Sequence, residues 1–205
     1  MLTCLNNSRD AVIVLHEIYG INRHIAAVCR QYSNRGYDVY CPHLLRRELP
    51  FDYCEQQQAY SDFIANGGFA AYRQVISLLR EIRSRYRRII LAGFSIGATL
   101  AWISCGSGLC DGIIACYGSR IRDYPAVNPA CPALCIFAEQ EAAFSPASVD
   151  AFFRDRPGIS VSVLAGRHGF CDPFSAEYHP ASAAEAEKLT ESFLAAFAPP
   201  ILPRD

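Results

Sequence analysis

A serine stands at the centre of Gly93-Phe94-Ser95-Ile96-Gly97, a G-x-S-x-G stretch that follows the apolar run Ile89 to Ala92 and leads into Ala98-Thr99-Leu100-Ala101-Trp102. That order reads as a strand, a hard turn with the serine at its apex, and a helix: the layout of a nucleophile elbow. The backbone on either side of Ser95 must pass so close that a Cβ at Gly93 or Gly97 would clash. A helix starting after Ser95 would aim free N–H groups, that of Ile96 first, at a developing oxyanion. A serine hydroxyl attacks only when a base removes its proton. Of the five histidines, His168 is the best placed, in the loop Gly166-Arg167-His168-Gly169-Phe170 after the last apolar run. His16, ending the first such run, is the second choice, and His24, His43 and His179 read as solvent-facing residues of helices or loops. A carboxylate should orient the imidazole. Glu139 and Glu141 both follow the fifth apolar run, Glu141 being preferred and Glu139 the alternative.

These groups need elements to hold them. Residues 11–16, 37–41, 89–92, 112–117, 132–138 and 159–164 read as strands apolar along their length, as expected of strands buried on both faces. Helices are expected at 22–33, capped by Asn22, somewhere within the loop 43–66, at 69–85, after Ser95, at 148–154, and at 182–196 with Ser182 and Glu185 as a capping box. The basic cluster Arg80, Arg83, Arg85, Arg87 and Arg88 would complement the dipole of the 69–85 helix and face solvent. Strands alternating with helices imply a mainly parallel sheet covered on both faces, and no linker divides it, so residues 1–205 read as a single α/β domain ending in a loose tail from Pro199 to Asp205. The binding crevice of such a sheet lies at the carboxyl ends of its strands. Glu17, Ser95, the pair Glu139/Glu141 and His168 all fall there.

Composition narrows the classes. The 205 residues are 51% hydrophobic and 19% charged, with formal net charge -1. No basic excess points to nucleic acid, no signal peptide is evident, and no apolar run approaches the roughly 20 residues of a membrane span. A cytoplasmic protein is expected. Its ten cysteines include no CxxC pair and no histidines at zinc spacing, so reduced core thiols are expected. Cys171 stands out for its place three residues after His168.

Along nearly the whole chain the sequence resembles the dienelactone hydrolases, a family of the α/β-hydrolase fold. Val14-Leu15-His16-Glu17-Ile18-Tyr19-Gly20 is similar to the family's first-strand motif, and Arg35-Gly36-Tyr37-Asp38-Val39-Tyr40-Cys41-Pro42 to its second-strand segment. Gly93 to Gly97 resembles its elbow, Tyr117-Gly118 the end of the next strand, Ala138-Glu139-Gln140-Glu141 its acid segment, and Gly166 to Phe170 its histidine loop. The resemblance implies that Glu141 is the acid and that Glu17 lies inside the active site, helping to set the nucleophile's protonation. It further implies that the N–H groups of Ile18 and Ile96 form the oxyanion hole, and that Tyr60 matches a family tyrosine that contacts substrate. Three departures stand against it. Ser95 replaces the cysteine of the best-known members, Glu141 replaces an aspartate, and Asp172 and Gln56 occupy the places of arginines that hold a substrate carboxylate. The resemblance therefore implies a reaction type more than a substrate: hydrolysis of a small carboxylic ester or lactone through a Ser-Glu-His triad and an acyl-enzyme. No cofactor or metal is needed, and the expected partners are a small-molecule substrate and, at most, further copies in a small homo-oligomer. Two other readings are a hydrolase-fold binding protein without turnover and a thioesterase or acyltransferase using the same three residues.

Overall fold

The computed structural model describes residues 1–47, 49–141 and 146–197, which leaves the tail from Pro199 outside the described residues. Seven strands form one sheet: β1 (Leu2–Cys4), β2 (Asp10–Leu15), β3 (Asp38–Cys41), β4 (Arg88–Phe94), β5 (Gly112–Cys116), β6 (Ala133–Gln140) and β7 (Ile159–Arg167), in the order β1-β3-β2-β4-β5-β6-β7. Every pairing is parallel except that of β1 with β3. The helices are α1 (Arg23–Asn34), α2 (Gln56–Ala65), α3 (Tyr72–Ile82), α4 (Ile96–Cys105), α5 (Pro146–Phe153) and α6 (Pro180–Ala195).

The two-residue period of a strand divides the core. Ala11, Ile13 and Leu15 of β2, with Ile89 and Leu91 of β4, pack beneath α3, α4 and α5, against Val75, Leu79, Leu100, Trp102 and Phe153. Val12, Val14, Ile90 and Ala92 face the other way, onto Ile25, Val28 and Cys29 of α1 and Ala186 and Leu194 of α6. A third, smaller cluster joins Ala59 and Phe63 of α2 to Ile18, Leu45, Phe51 and Ile96, and so roofs the ends of β2 and β4.

Several elements differ from expectation. β1 adds an unforeseen antiparallel edge, and β7, the opposite edge, alternates between half-buried and exposed instead of being buried throughout. The span 69–85 is a 3₁₀ turn at Gly68–Ala71, the helix α3, and a second 3₁₀ turn at Arg83–Arg85. Gly67 and Gly68 precede it at φ 106° and 54°, a left-handed pair only glycine adopts readily. α6 starts at Pro180, whose fixed φ suits a first turn, so Ser182 lies inside the helix and His179 is the cap, its Nδ1 accepting from the Ser182 N–H at 3.3 Å. Arg83 reaches the Asp111 carboxylate at 2.6 Å and the carbonyls of Tyr86 and Arg87, binding the end of α3 to neighbouring loops. His24 is buried at 3% exposure on the inner face of α1, not in solvent. No helix of the described residues is long and apolar enough to cross a membrane.

Candidate active site

Ser95 ends β4 and opens α4 at φ 54°, ψ −115°, a conformation most residues avoid. The turn is held from two sides, the Ser95 N–H donating to the Cys116 carbonyl at 3.0 Å and the Thr99 N–H to the Ser95 carbonyl at 3.2 Å. The glycines are obligatory here: a Cβ on Gly93 would stand 2.3 Å from the Gly97 oxygen, and one on Gly97 would stand 2.1 Å from the Leu15 oxygen. Close approach of β2 to the start of α4 thus brings the Glu17-Ile18 segment beside the serine.

Across this turn runs one chain of polar contacts. Ser95 Oγ lies 2.8 Å from His168 Nε2, and His168 Nδ1 lies 2.8 Å from Glu141 Oε1. With Nδ1–H donating to the carboxylate, Nε2 is left to accept from the serine hydroxyl. Glu141 is buried, its side chain 4% exposed, whereas Glu139 points to solvent. The pairing of β6 with β7 is irregular between Ala138 and Gln140, and such an irregularity re-aims the side chains that follow. Burial would depress the His168 imidazole, but the hydrogen bond and charge of Glu141, with the charge of Glu17, outweigh it and hold the pKa above 6.5.

Glu17, 4% exposed, borders the same cleft. Burial raises its carboxyl from 4.5 to about 7; His168 opposes the shift and Asp172 adds to it. His16 is fully buried and faces elsewhere. Its Nδ1 must donate to the Glu17 carbonyl at 2.6 Å, because its Nε2 accepts from the Leu44 N–H at 2.9 Å. Both nitrogens are therefore committed, and burial lowers the ring to about 4, so the second-choice base is a neutral structural brace. Ile18 and Ile96 both line the cleft, and Ile96, as the first residue of α4, has an N–H with no intrahelical acceptor.

The cleft has a volume of about 460 Å³. Tyr60 and Gln56 of α2 form part of its wall, as do Tyr19 and Tyr53. Asp172 borders it too, at 1% exposure, but both its oxygens are engaged: Oδ2 accepts from the Tyr53 hydroxyl at 2.5 Å and Oδ1 from the Phe174 N–H at 2.8 Å. His24 Nδ1 stands 3.9 Å from Oδ1, and Asn22 Nδ2 donates to the Tyr53 oxygen at 3.2 Å. Arg120 and Arg167 reach the rim, the first paired with Asp123 at 2.6 Å and the second near Glu177 at 4.0 Å. Tyr117, read from sequence only as the end of a strand, also packs against the site. It adopts φ 43°, lies fully buried, and packs its ring 5.1 Å from that of His168. Cys171 is half-buried, and its hydrogen bond to Cys116, together with burial, raises its pKa, which keeps it a thiol. Among the described residues no group of three or more His, Cys, Asp or Glu side chains is arranged to hold a metal ion.

A parallel sheet covered on both faces, with a strained serine turn and a histidine–carboxylate pair at its carboxyl edge, defines an α/β-hydrolase. Residues 3–198 match the model of the dienelactone hydrolase family, and the chain belongs to that family. An uncharacterized Bacillus subtilis protein, YczH, is 33% identical over 176 residues, covering 84% of this chain and 86% of its own. The carboxymethylenebutenolidase of Pseudomonas putida is 26% identical over 203 residues, covering 90% of this chain and 84% of its own. Among solved structures, a dienelactone hydrolase-like promiscuous phosphotriesterase from metagenomic libraries superimposes with TM-score 0.74 at 16% identity, covering 91% of this chain and 86% of its own.

Proposed function

We propose that the protein hydrolyses a small carboxylic ester or lactone, with Ser95 as nucleophile, His168 as base and Glu141 as the acid that orients it. Ser95 Oγ attacks the carbonyl carbon as its proton passes to His168 Nε2. The imidazolium so formed is stabilised by Glu141 and then protonates the leaving alcohol oxygen. Water, deprotonated by the same nitrogen, hydrolyses the acyl-Ser95 ester. The N–H groups of Ile18 and Ile96 receive the tetrahedral oxyanion, each such donor contributing on the order of 3 kcal/mol. The observation that carries this reading is the unbroken contact from Glu141 through both nitrogens of His168 to Ser95.

The cleft also bears on the substrate. Its inner wall presents the buried carboxyls of Glu17 and Asp172, while its arginines sit at the rim beside acidic partners. The buried carboxylate of Asp172, joined by Glu17 as it ionises above about pH 7, repels a second one, so uncharged acyl groups fit this site better than carboxylate-bearing lactones. The Pseudomonas enzyme is named for a carboxylate-bearing butenolide. The test is labelling by a fluorophosphonate, followed by turnover across p-nitrophenyl esters of increasing length and a panel of neutral and anionic lactones. Wild-type protein should label and Ser95→Ala should not; equal failure of both would overturn the reading.

A further inference from the structure

The opposite end of the sheet from Ser95 holds a second group of nucleophilic side chains. Cys110 and Cys131 stand just ahead of β5 and β6, two neighbouring strands whose entry is fixed by the Ile113 N–H donating to the Pro132 carbonyl at 3.0 Å. The same loops are pinned again where the Asp111 N–H meets the Ile89 carbonyl at 2.8 Å and the Ala130 N–H meets the Cys105 carbonyl at 3.2 Å. Within this frame the two sulfurs lie 3.7 Å apart. A disulfide brings sulfurs to about 2.05 Å, so bridging this pair requires the two side chains to turn toward each other.

We propose that Cys110 and Cys131 are a dithiol that a hydroperoxide converts to an intramolecular disulfide. Access separates this pair from the deeply buried cysteines, and Cys4, partly exposed on β1, lies at the sheet edge away from β5 and β6. Cys131 is partly exposed and borders an open surface cleft with Arg87, Arg88, Gly108 and Asp111, while Cys110 behind it is 4% exposed. Cys29, Cys41, Cys105 and Cys135 are at 0% exposure and out of an oxidant's reach. Cys171 is partly exposed, but the carboxylates of Glu17 and Asp172 add to the hydrogen bond and burial that keep it protonated. Cys54 is exposed on the 3₁₀ turn before α2.

Exposure assigns the roles. Either sulfur can donate in the contact, but Cys131 is the partly exposed one and meets the peroxide first, while burial keeps Cys110 a thiol behind it. Asp111 is neutralised by Arg83 at 2.6 Å. The Cys131 thiolate attacks one peroxide oxygen: an S–O bond forms, the O–O bond breaks, and the departing hydroxide or alkoxide takes up a proton. Sulfur has been oxidised to a sulfenic acid and the peroxide reduced. Cys110 sulfur then attacks Cys131 sulfur. The S–S bond forms as the S–O bond breaks, and hydroxide leaves with the Cys110 proton as water.

The experiment uses the whole protein with Cys54→Ser, which removes the exposed thiol able to link two molecules. Folded protein is treated with hydrogen peroxide, quenched, alkylated and mapped by mass spectrometry without reduction. The peptide joining Cys110 to Cys131 should dominate the oxidised products, should vanish on reduction, and should form far less in guanidinium-unfolded protein. Cys110→Ser should stop at a Cys131 sulfenic acid that dimedone traps, and Cys131→Ser should leave Cys110 alkylatable. Oxidation should raise the unfolding temperature of the Cys54→Ser protein, because the link closes a loop across two strands, and should not do so once Cys131→Ser is added. The proposal is overturned if Cys110 and Cys131 stay alkylatable while other thiols oxidise, or if the joined peptide forms equally well from unfolded chain.

Discussion

Replacing Glu17 by glutamine removes one buried titrating group, together with its smaller part in holding up the His168 imidazole. The carboxyl has an ordinary value of 4.5 and a folded value of about 7, chiefly because it is buried beside Ser95. As pH rises from 4.5 to 7, the unfolded chain releases a proton that the folded protein keeps. The folded state then binds more protons, so stability falls across that window and levels off above it. At about 1.4 kcal/mol per pH unit the loss amounts to about 3 kcal/mol. Glutamine has the same shape and does not titrate. The difference in unfolding free energy between Glu17→Gln and wild type should therefore be constant below pH 4.5 and move in favour of the variant by about 3 kcal/mol up to pH 7. Urea titrations at half-unit pH steps would show the midpoints diverging by about 1 M, given a slope of 2–3 kcal/mol per M for a domain of roughly this size. Taking the difference removes His16, which works in the opposite sense. With a folded value of about 4 it costs stability as pH falls from 6.5, and it is present in both proteins. A difference that stays flat from pH 4.5 to 8 would refute the assignment of a raised acid to Glu17.

Three other outcomes follow from the site. Glu141→Gln should lower ester turnover by roughly 10⁴, the scale for losing the group that sets a catalytic imidazole's tautomer, while Glu139→Gln should change it little; equal effects would exclude Glu141 as the acid. If His168 is the base it must be neutral to accept a proton, and since its pKa is raised above 6.5, kcat/KM should rise with pH to a midpoint above 6.5. The midpoint should move downward in Glu141→Gln, a shift that pH–rate profiles of the two proteins would detect. Gly97→Ala places a methyl 2.1 Å from the Leu15 oxygen, and backbone on both sides leaves it no room. The variant should lose more than about 4 kcal/mol in thermal or urea unfolding, or fail to accumulate as soluble protein.

What could be read from the sequence was what short-range sterics dictate. The glycines around Ser95 are there because two backbones touch, and a pentapeptide suffices to show it. Apolar runs of four to six residues gave away β2, β4 and β5, since strands covered on both faces have no polar side to confuse the pattern. β1 is only three residues long, too short for any period. The burial of His24 does have a local signal: with Ile25, Val28, Cys29 and Tyr32 it falls on the one buried face of α1. For the start of α6, Pro180 is a stronger marker than the Ser182–Glu185 spacing. The contact of Tyr53 with Asp172 spans 119 positions, and no local pattern could have announced it. The resemblance pointed to Glu141 over Glu139, but the reason Glu141 is the carboxylate that reaches His168 is an irregularity at the end of β6 that leaves no mark in composition.

The least legible feature is also the one that ties the site together. Two non-glycine residues with positive φ, Ser95 at 54° and Tyr117 at 43°, end the neighbouring strands β4 and β5. Such conformations cost on the order of 1–3 kcal/mol each and persist where surrounding structure over-determines them. Here the sheet does so, through the Ser95 N–H on the Cys116 carbonyl at 3.0 Å and the Tyr117 N–H on the Ile136 carbonyl at 2.6 Å. The two strained turns are thus consecutive links in one ladder running from β4 through β5 to β6, the strand that delivers Glu141. Tyr117 then sets its ring against both His168 and Phe170, 5.1 and 5.5 Å away. Serine, imidazole and carboxylate arrive from three different strand ends, and a rigid aromatic wedge fixed by the sheet's own hydrogen bonds keeps the middle one in line with the other two.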